Sequence, residues 1–137
     1  MIRTIKLATI AIIFSGIASC SKSSTTPPDP NITFMATLRC ASEAPANAST
    51  GTGTSTLIFN NDTKIFTVTK TYTGVSGTAT AGHIHKGAVG VSGGVIFPFT
   101  NVTVSPIVYT SAALDATQEA DLKAGLYYTN IHTALYP

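Results

Sequence analysis

Two histidines one residue apart, in Gly82-His83-Ile84-His85-Lys86-Gly87, and a third in Asn130-Ile131-His132 are all the imidazoles of this 137-residue chain. If both segments are strands, side chains two residues apart leave one face of the sheet with origins about 6.6 Å apart. His83 and His85 can then turn their rings toward one point while Ile84 faces the other way. The same polar-Ile-His order, with Ile131 in the core, sends His132 to the same outer layer as the pair. Three neutral imidazoles with an open position suit zinc or copper, both of which favour nitrogen ligands. The competing use of these rings is architectural: imidazole N–H groups donate to carbonyls of the adjacent glycine-rich loop and fix its path. The sequence favours anchoring. A catalytic zinc also needs a nearby general base, and Glu43 is the only glutamate outside the helix predicted below.

Other chemistries find less support. Gly87, Gly90 and Gly93 recur at intervals of three, as in a phosphate cradle, but Lys86 precedes them and no helix follows. Neither the P-loop nor the dinucleotide fingerprint is met, and a tight loop is the simple reading. No serine sits in a Gly-x-Ser-x-Gly elbow, and Cys40 falls in a predicted strand instead of at a helix N-terminus. Strand and core packing account for Tyr127, Tyr128 and Tyr136. No catalytic residue is assigned, and an enzyme is not expected.

The elements that must position these residues read as short strands. Ile32, Phe34, Ala36 and Leu38 alternate with Thr33, Met35, Thr37 and Arg39, which predicts a first strand over 32–40. A loop of small residues, 41–54, leads to Ser55–Phe59, and the turn Asn60-Asn61-Asp62-Thr63 joins this run to Lys64–Tyr72 as a hairpin. Thr78–Lys86 is the strand carrying the histidine pair. Val95–Phe99 and Thr103–Tyr109 follow, and Pro98, which has no N–H, belongs at an edge or a bulge. Asp115–Ala124 is the one convincing helix: Asp115 caps with Gln118, Glu119 precedes Lys123 by four, and Gly125 stops it. Its thin apolar face places it over an end of the sheets, and Leu126–Thr133 is the last strand. The expected class is all-β, an immunoglobulin-like sandwich or barrel of about seven short antiparallel strands with one short helix near the C-terminus.

Arg3 and Lys6 precede an uncharged apolar run, Leu7 to Ile17, that is shorter than the roughly 20 residues needed to span a bilayer. The run ends in Ile17-Ala18-Ser19-Cys20, which closely resembles a bacterial lipobox. Residues 1–19 are therefore expected to be a lipoprotein signal peptide, with Cys20 acylated to give a stable membrane anchor. Residues 20–31 form a Ser/Thr/Pro linker and 32–137 the folded domain. Ser21 after the cysteine leans toward the outer membrane, by analogy with other lipoproteins. Loss of Arg3 and Lys6 from eight basic residues leaves six against six acidic ones. A neutral domain without basic clusters has no electrostatic footprint for nucleic acid. With Cys20 lipidated, Cys40 has no partner for a disulfide.

From about Phe34 to Pro137 the chain resembles the CHRD domain, the module named for chordin and found in many bacterial secreted proteins. The family's opening leucine, glycine and Glu-x-Pro look like Leu38, Cys40, Glu43 and Pro45, with cysteine in place of glycine. Its His-Ile-His-x-Gly with spaced glycines is matched by His83, Ile84, His85, Gly87, Gly90 and Gly93. Its helix and Tyr-x-Asn-x-His-Thr motif are matched by Asp115–Gly125 and by Tyr128, Asn130, His132 and Thr133. Family members usually continue past this motif into a strand containing Glu-Ile-Arg-Gly, whereas the present sequence stops at Pro137; either the copy is truncated or that strand is dispensable, and a missing strand would expose a sheet edge.

The resemblance implies an immunoglobulin-like β fold and no established biochemical role. In chordin these domains belong to an extracellular protein that binds growth factors. The His-x-His strand is also similar to the copper strand of Cu/Zn superoxide dismutases, but the bridging histidine, zinc aspartate and disulfide of those enzymes have no counterpart, so dismutase activity is not expected. The leading expectation is a lipid-anchored, extracytoplasmic, non-catalytic module that binds a protein or glycan or serves surface architecture. The alternative is a copper or zinc protein using His83, His85 and His132.

Overall fold

The computed structural model describes residues 27–43 and 46–137. The signal segment 1–19, Cys20, the first part of the linker and Pro45 lie outside the described residues.

Among the described residues seven strands form in chain order: β1 (Asn31–Arg39), β2 (Thr52–Asn60), β3 (Phe66–Thr73), β4 (Ala79–Lys86), β5 (Gly94–Pro98), β6 (Ile107–Thr110) and β7 (Tyr127–Thr133), with helix α1 (Ala116–Lys123) before the last. They make two antiparallel sheets, β1-β2-β3-β6 and β5-β4-β7. Four strands facing three is the layering of an immunoglobulin constant-type sandwich, here with a strand order of its own.

Period-two patterning explains the layering. In β2, Ser55, Leu57 and Phe59 are buried while Thr54 and Ile58 are exposed; in β3, Phe66, Val68 and Lys70 are buried. Phe59 and Phe66 are fully buried, and Phe97 meets the Phe66 ring edge-on at 5.2 Å and 82°. Ile84, Phe99, Ile107, Leu114 and Leu122 complete the core between the sheets. On the outside, threonines pair across strands: the Thr54 and Thr71 hydroxyls lie 2.8 Å apart and those of Thr67 and Thr110 3.1 Å apart. Such pairs are the sheet's local source of stability.

The β2–β3 hairpin closes as the Asn/Asp tetrad requires, with Asn60 Oδ1 accepting from the backbone N–H groups of Asp62 and Thr63. α1 starts at a capping box in which Asp115 and Gln118 satisfy each other's backbone N–H groups. Gly125 follows it at φ 71°, a left-handed position that favours glycine. The helix joins the two sheets at one end: Glu119 pairs with Lys64 of the β2–β3 turn at 3.0 Å, and Asp121 with Lys86 at the end of β4 at 2.6 Å.

Several boundaries differ from the sequence reading. β2 begins at Thr52, so the preceding loop is shorter than expected; Gly53 allows this, since a Cβ there would lie 2.1 Å from the Thr71 carbonyl oxygen of β3. β1 ends at Arg39, and Cys40 opens a 3-10 turn where its thiol donates to the Gly51 carbonyl at 3.3 Å, instead of belonging to the strand. β6 starts at Ile107, four residues later than predicted. Pro106 has no N–H to place in a ladder, and the neighbouring Tyr72 N–H donates to the Ser105 hydroxyl at 3.1 Å instead. β5 is an edge strand, with Pro98 opposite His83 and a register shift between Ile84 and His85.

Candidate metal centre

β4 is the middle strand of the three-stranded sheet, and β7, more than forty residues later in the chain, is its direct neighbour. His83 stands opposite Asn130, His85 opposite Tyr128, and Ala81 opposite His132. Ile84 is buried and Ile131 packs against the core, so the alternating neighbours of both turn to the outer face. Each of His83, His85 and His132 therefore offers a ring nitrogen to one point, all three within 4.8 Å of one another. His132 Nε2 lies 3.2 Å from His83 Nδ1, close to the roughly 3.3 Å between neighbouring nitrogens on a tetrahedral zinc ion.

His85 is the most constrained ring. Its Nδ1 is 2.9 Å from the Gly93 carbonyl oxygen, and its face stacks on Tyr128 at 5.0 Å and 10°. The Gly93 N–H donates to the Tyr128 hydroxyl at 2.8 Å, so one residue of the loop, through its N–H and its carbonyl, holds both rings. A Cβ on Gly93 would lie 1.7 Å from the Lys86 carbonyl oxygen and one on Gly87 2.7 Å from that of Val91, while Gly90 takes φ +78° in open space. The spaced glycines are thus a close-approach loop. An imidazole that donates Nδ1–H to a carbonyl keeps its Nε2 lone pair for an ion, the usual arrangement of metal-bound histidine.

Asn130, 7% exposed, stands among the rings. Its Oδ1 is 3.2 Å from His85 Nε2 and its Nδ2 is 2.9 Å from His132 Nε2. In that orientation His85 faces an oxygen at both nitrogens, which only a doubly protonated ring satisfies. Turning the amide over presents Nδ2 to His85 Nε2 and Oδ1 to His132 Nε2–H, and every partner is then matched with neutral rings. The oxygen and nitrogen of an amide are assigned from the partners they meet, and this second orientation matches them all.

Burial holds the pKa of His83 below the ordinary imidazole value, helped by the charges of His132, His85 and Lys70. A neutral imidazole is the form a metal requires. Lys70 was not singled out by the sequence reading. It comes from β3 in the opposite sheet and is fully buried. Its ammonium donates to Thr129 Oγ1 at 2.9 Å and to the Asn130 carbonyl at 2.5 Å. Thr129 Oγ1 in turn donates to the His83 carbonyl at 2.8 Å. Burial pushes the lysine down to about 7, with Glu43 working the other way. The strict alternation Phe66-x-Val68-x-Lys70 was the signal that this side chain turns inward.

The structure brings His83, His85 and His132 together with Asn130 and Gly93, and it does not bring Glu43 to them. Among the described residues the cluster holds no carboxylate. Glu43 lines a cavity of about 50 Å³ with Cys40, Tyr72, Ile131 and Tyr136. The donor set, three imidazoles converging from two neighbouring strands, fits copper or zinc.

A family model described as CHRD domain matches residues 34–137. A search of curated proteins and a search of solved structures each gave no match.

Proposed function

The chain belongs to the CHRD domain family, a membership that suggests an extracellular binding module, and from that premise we propose that it is a non-catalytic binding module, lipid-anchored through Cys20 on the extracytoplasmic side of a membrane, most simply the outer membrane. We further propose that its β4–β7 centre takes a copper or zinc ion. The observation that carries the metal reading is the convergence of the His83, His85 and His132 nitrogens within 4.8 Å, with His85 locked by Gly93 in a tautomer able to coordinate. The absence of any carboxylate from that cluster supports binding over hydrolysis, since no group in it is placed to activate a water.

The reading the sequence favours, that the rings only anchor the glycine loop and the module binds a protein or glycan, is supported by one contact, His85 Nδ1 to Gly93 at 2.9 Å. Metal content separates the two. After loading the full chain in detergent with copper or zinc and removing excess, one ion per chain is expected, lost in His85→Ala. Sub-stoichiometric metal, or loading indifferent to that substitution, would leave the imidazoles as anchors.

A further inference from the structure

Three imidazoles leave one position of a tetrahedral ion to be filled, and the group nearest to it is an amide. The Asn130 side chain lies 2.9 Å from His132 Nε2 and 3.2 Å from His85 Nε2, while His132 and His83 are themselves 3.2 Å apart. The two amide contacts belong to its two ends, Nδ2 toward His132 and Oδ1 toward His85, so whichever way the amide is turned its oxygen lies near one imidazole nitrogen at about the 3.3 Å that separates neighbouring donors on a tetrahedral ion. We propose that Asn130 Oδ1 is the fourth ligand of the ion and closes the centre to water. This rests on the reading of the three histidines as a metal site.

Two physical arguments carry it. An ion takes the lone pairs of His85 Nε2 and His132 Nε2, which are the groups the amide now engages. A buried amide deprived of both partners is unfavourable unless it joins the ion, and turning over places its oxygen at the His132 end. The backbone that carries the amide is fixed beside the cluster, because the Asn130 carbonyl accepts from the buried Lys70 ammonium and its strand is paired with β4 opposite His83. Among the described residues no carboxylate belongs to the cluster, and the Tyr128 hydroxyl accepts the Gly93 N–H. A closed site is the structural kind, in contrast to an open one that admits substrate.

Cobalt(II) is the probe, because its visible spectrum reports coordination number and the entry of small anions. The full chain in detergent should bind one cobalt with a four-coordinate spectrum that azide leaves unchanged. Asn130→Ala should bind about tenfold more weakly and change its spectrum on adding azide, whereas Asn130→Asp, which keeps an oxygen donor, should stay insensitive. An azide response in the unaltered chain overturns the proposal, and it does so whether or not Asn130→Ala folds. Equal affinity and equal spectra for the unaltered chain and a folded Asn130→Ala overturn it too. Failure of the unaltered chain to bind any cobalt overturns the three-histidine reading itself, a different result from cobalt bound in an open site.

Discussion

Lys70 predicts an unusual rise of stability toward alkaline pH. The unfolded chain holds this proton up to the ordinary lysine value of 10.5, while the folded chain, which buries the ammonium between the sheets, gives it up near 7. Between those limits the unfolded state binds more protons, so stability increases with pH there and is flat below about 7. A separation of 10.5 from about 7 corresponds to about 5 kcal/mol at 1.36 kcal/mol per unit. Roughly 3 kcal/mol of that is regained between pH 7 and 10, a large part of the total for a domain of this size. The range should end near pH 10, because burial raises Tyr127 above its ordinary value and its contribution runs the other way beyond that point. In urea, with metal removed, an m-value near 1.5 kcal/mol/M turns this into a midpoint about 2 M higher at pH 10 than at pH 7. Lys70→Met should abolish the rise and be at least as stable as the unaltered chain at pH 7, since an apolar replacement of a buried charge is commonly neutral or stabilising. The loss of its bonds to Thr129 and Asn130 offsets part of that gain. A midpoint that stays level between pH 7 and 10, or a rise that survives Lys70→Met, would refute the assignment of the slope to this buried amine.

Two further outcomes are expected. Gly93→Ala places a methyl against the Lys86 carbonyl; it should lower stability by about 2 kcal/mol and release His85 and Tyr128 from the residue that holds them both, seen as a lower urea midpoint together with loss of bound copper or zinc. Gly90→Ala, at φ +78° in open space, should cost about 1 kcal/mol and leave metal content intact, and equal metal loss in both variants would contradict the anchoring of His85 by Gly93. Cys20→Ala should move the protein from the membrane fraction to the soluble one and abolish labelling by fatty acid; retention in the membrane would remove the anchor from the proposed function.

The alternation of Ile84 and Ile131 with their polar neighbours was enough to send all three histidines to one side of a sheet. It could not say that β4 and β7 are neighbours, because pairing between segments so far apart in the chain is decided by which edges remain free once the hairpins have formed. Lys70 was legible in principle, since the alternation from Phe66 turns it inward; a lysine on a core-facing position is normally read as the end of a strand, and here it bridges two sheets instead. Boundaries failed where a single backbone group decided them, as at Pro106, which has no donor, and at Gly53, whose missing Cβ lets β2 reach further along β3. The role of Asn130 was invisible as chemistry because an Asn two residues from a His is common on any polar strand face; only register opposite His83 makes it part of the cluster.

The position of Glu43 bears on whether such a centre could turn over a substrate. Its carboxylate lines the cavity reached by Tyr72, Ile131 and Thr133, and Ile131 and Thr133 alternate in β7 with Asn130 and His132. Glu43 thus lies toward the inner side of β7, where its charge acts on Lys70, while the imidazoles lie on the outer side. A strand hydrogen-bonded to β4 along Tyr127 to Thr133 stands between them. Among the described residues, then, the chain's candidate general base and its candidate metal ligands lie on opposite sides of the same strand that brings the ligands together, an arrangement that supports the proposal of ion binding over hydrolysis.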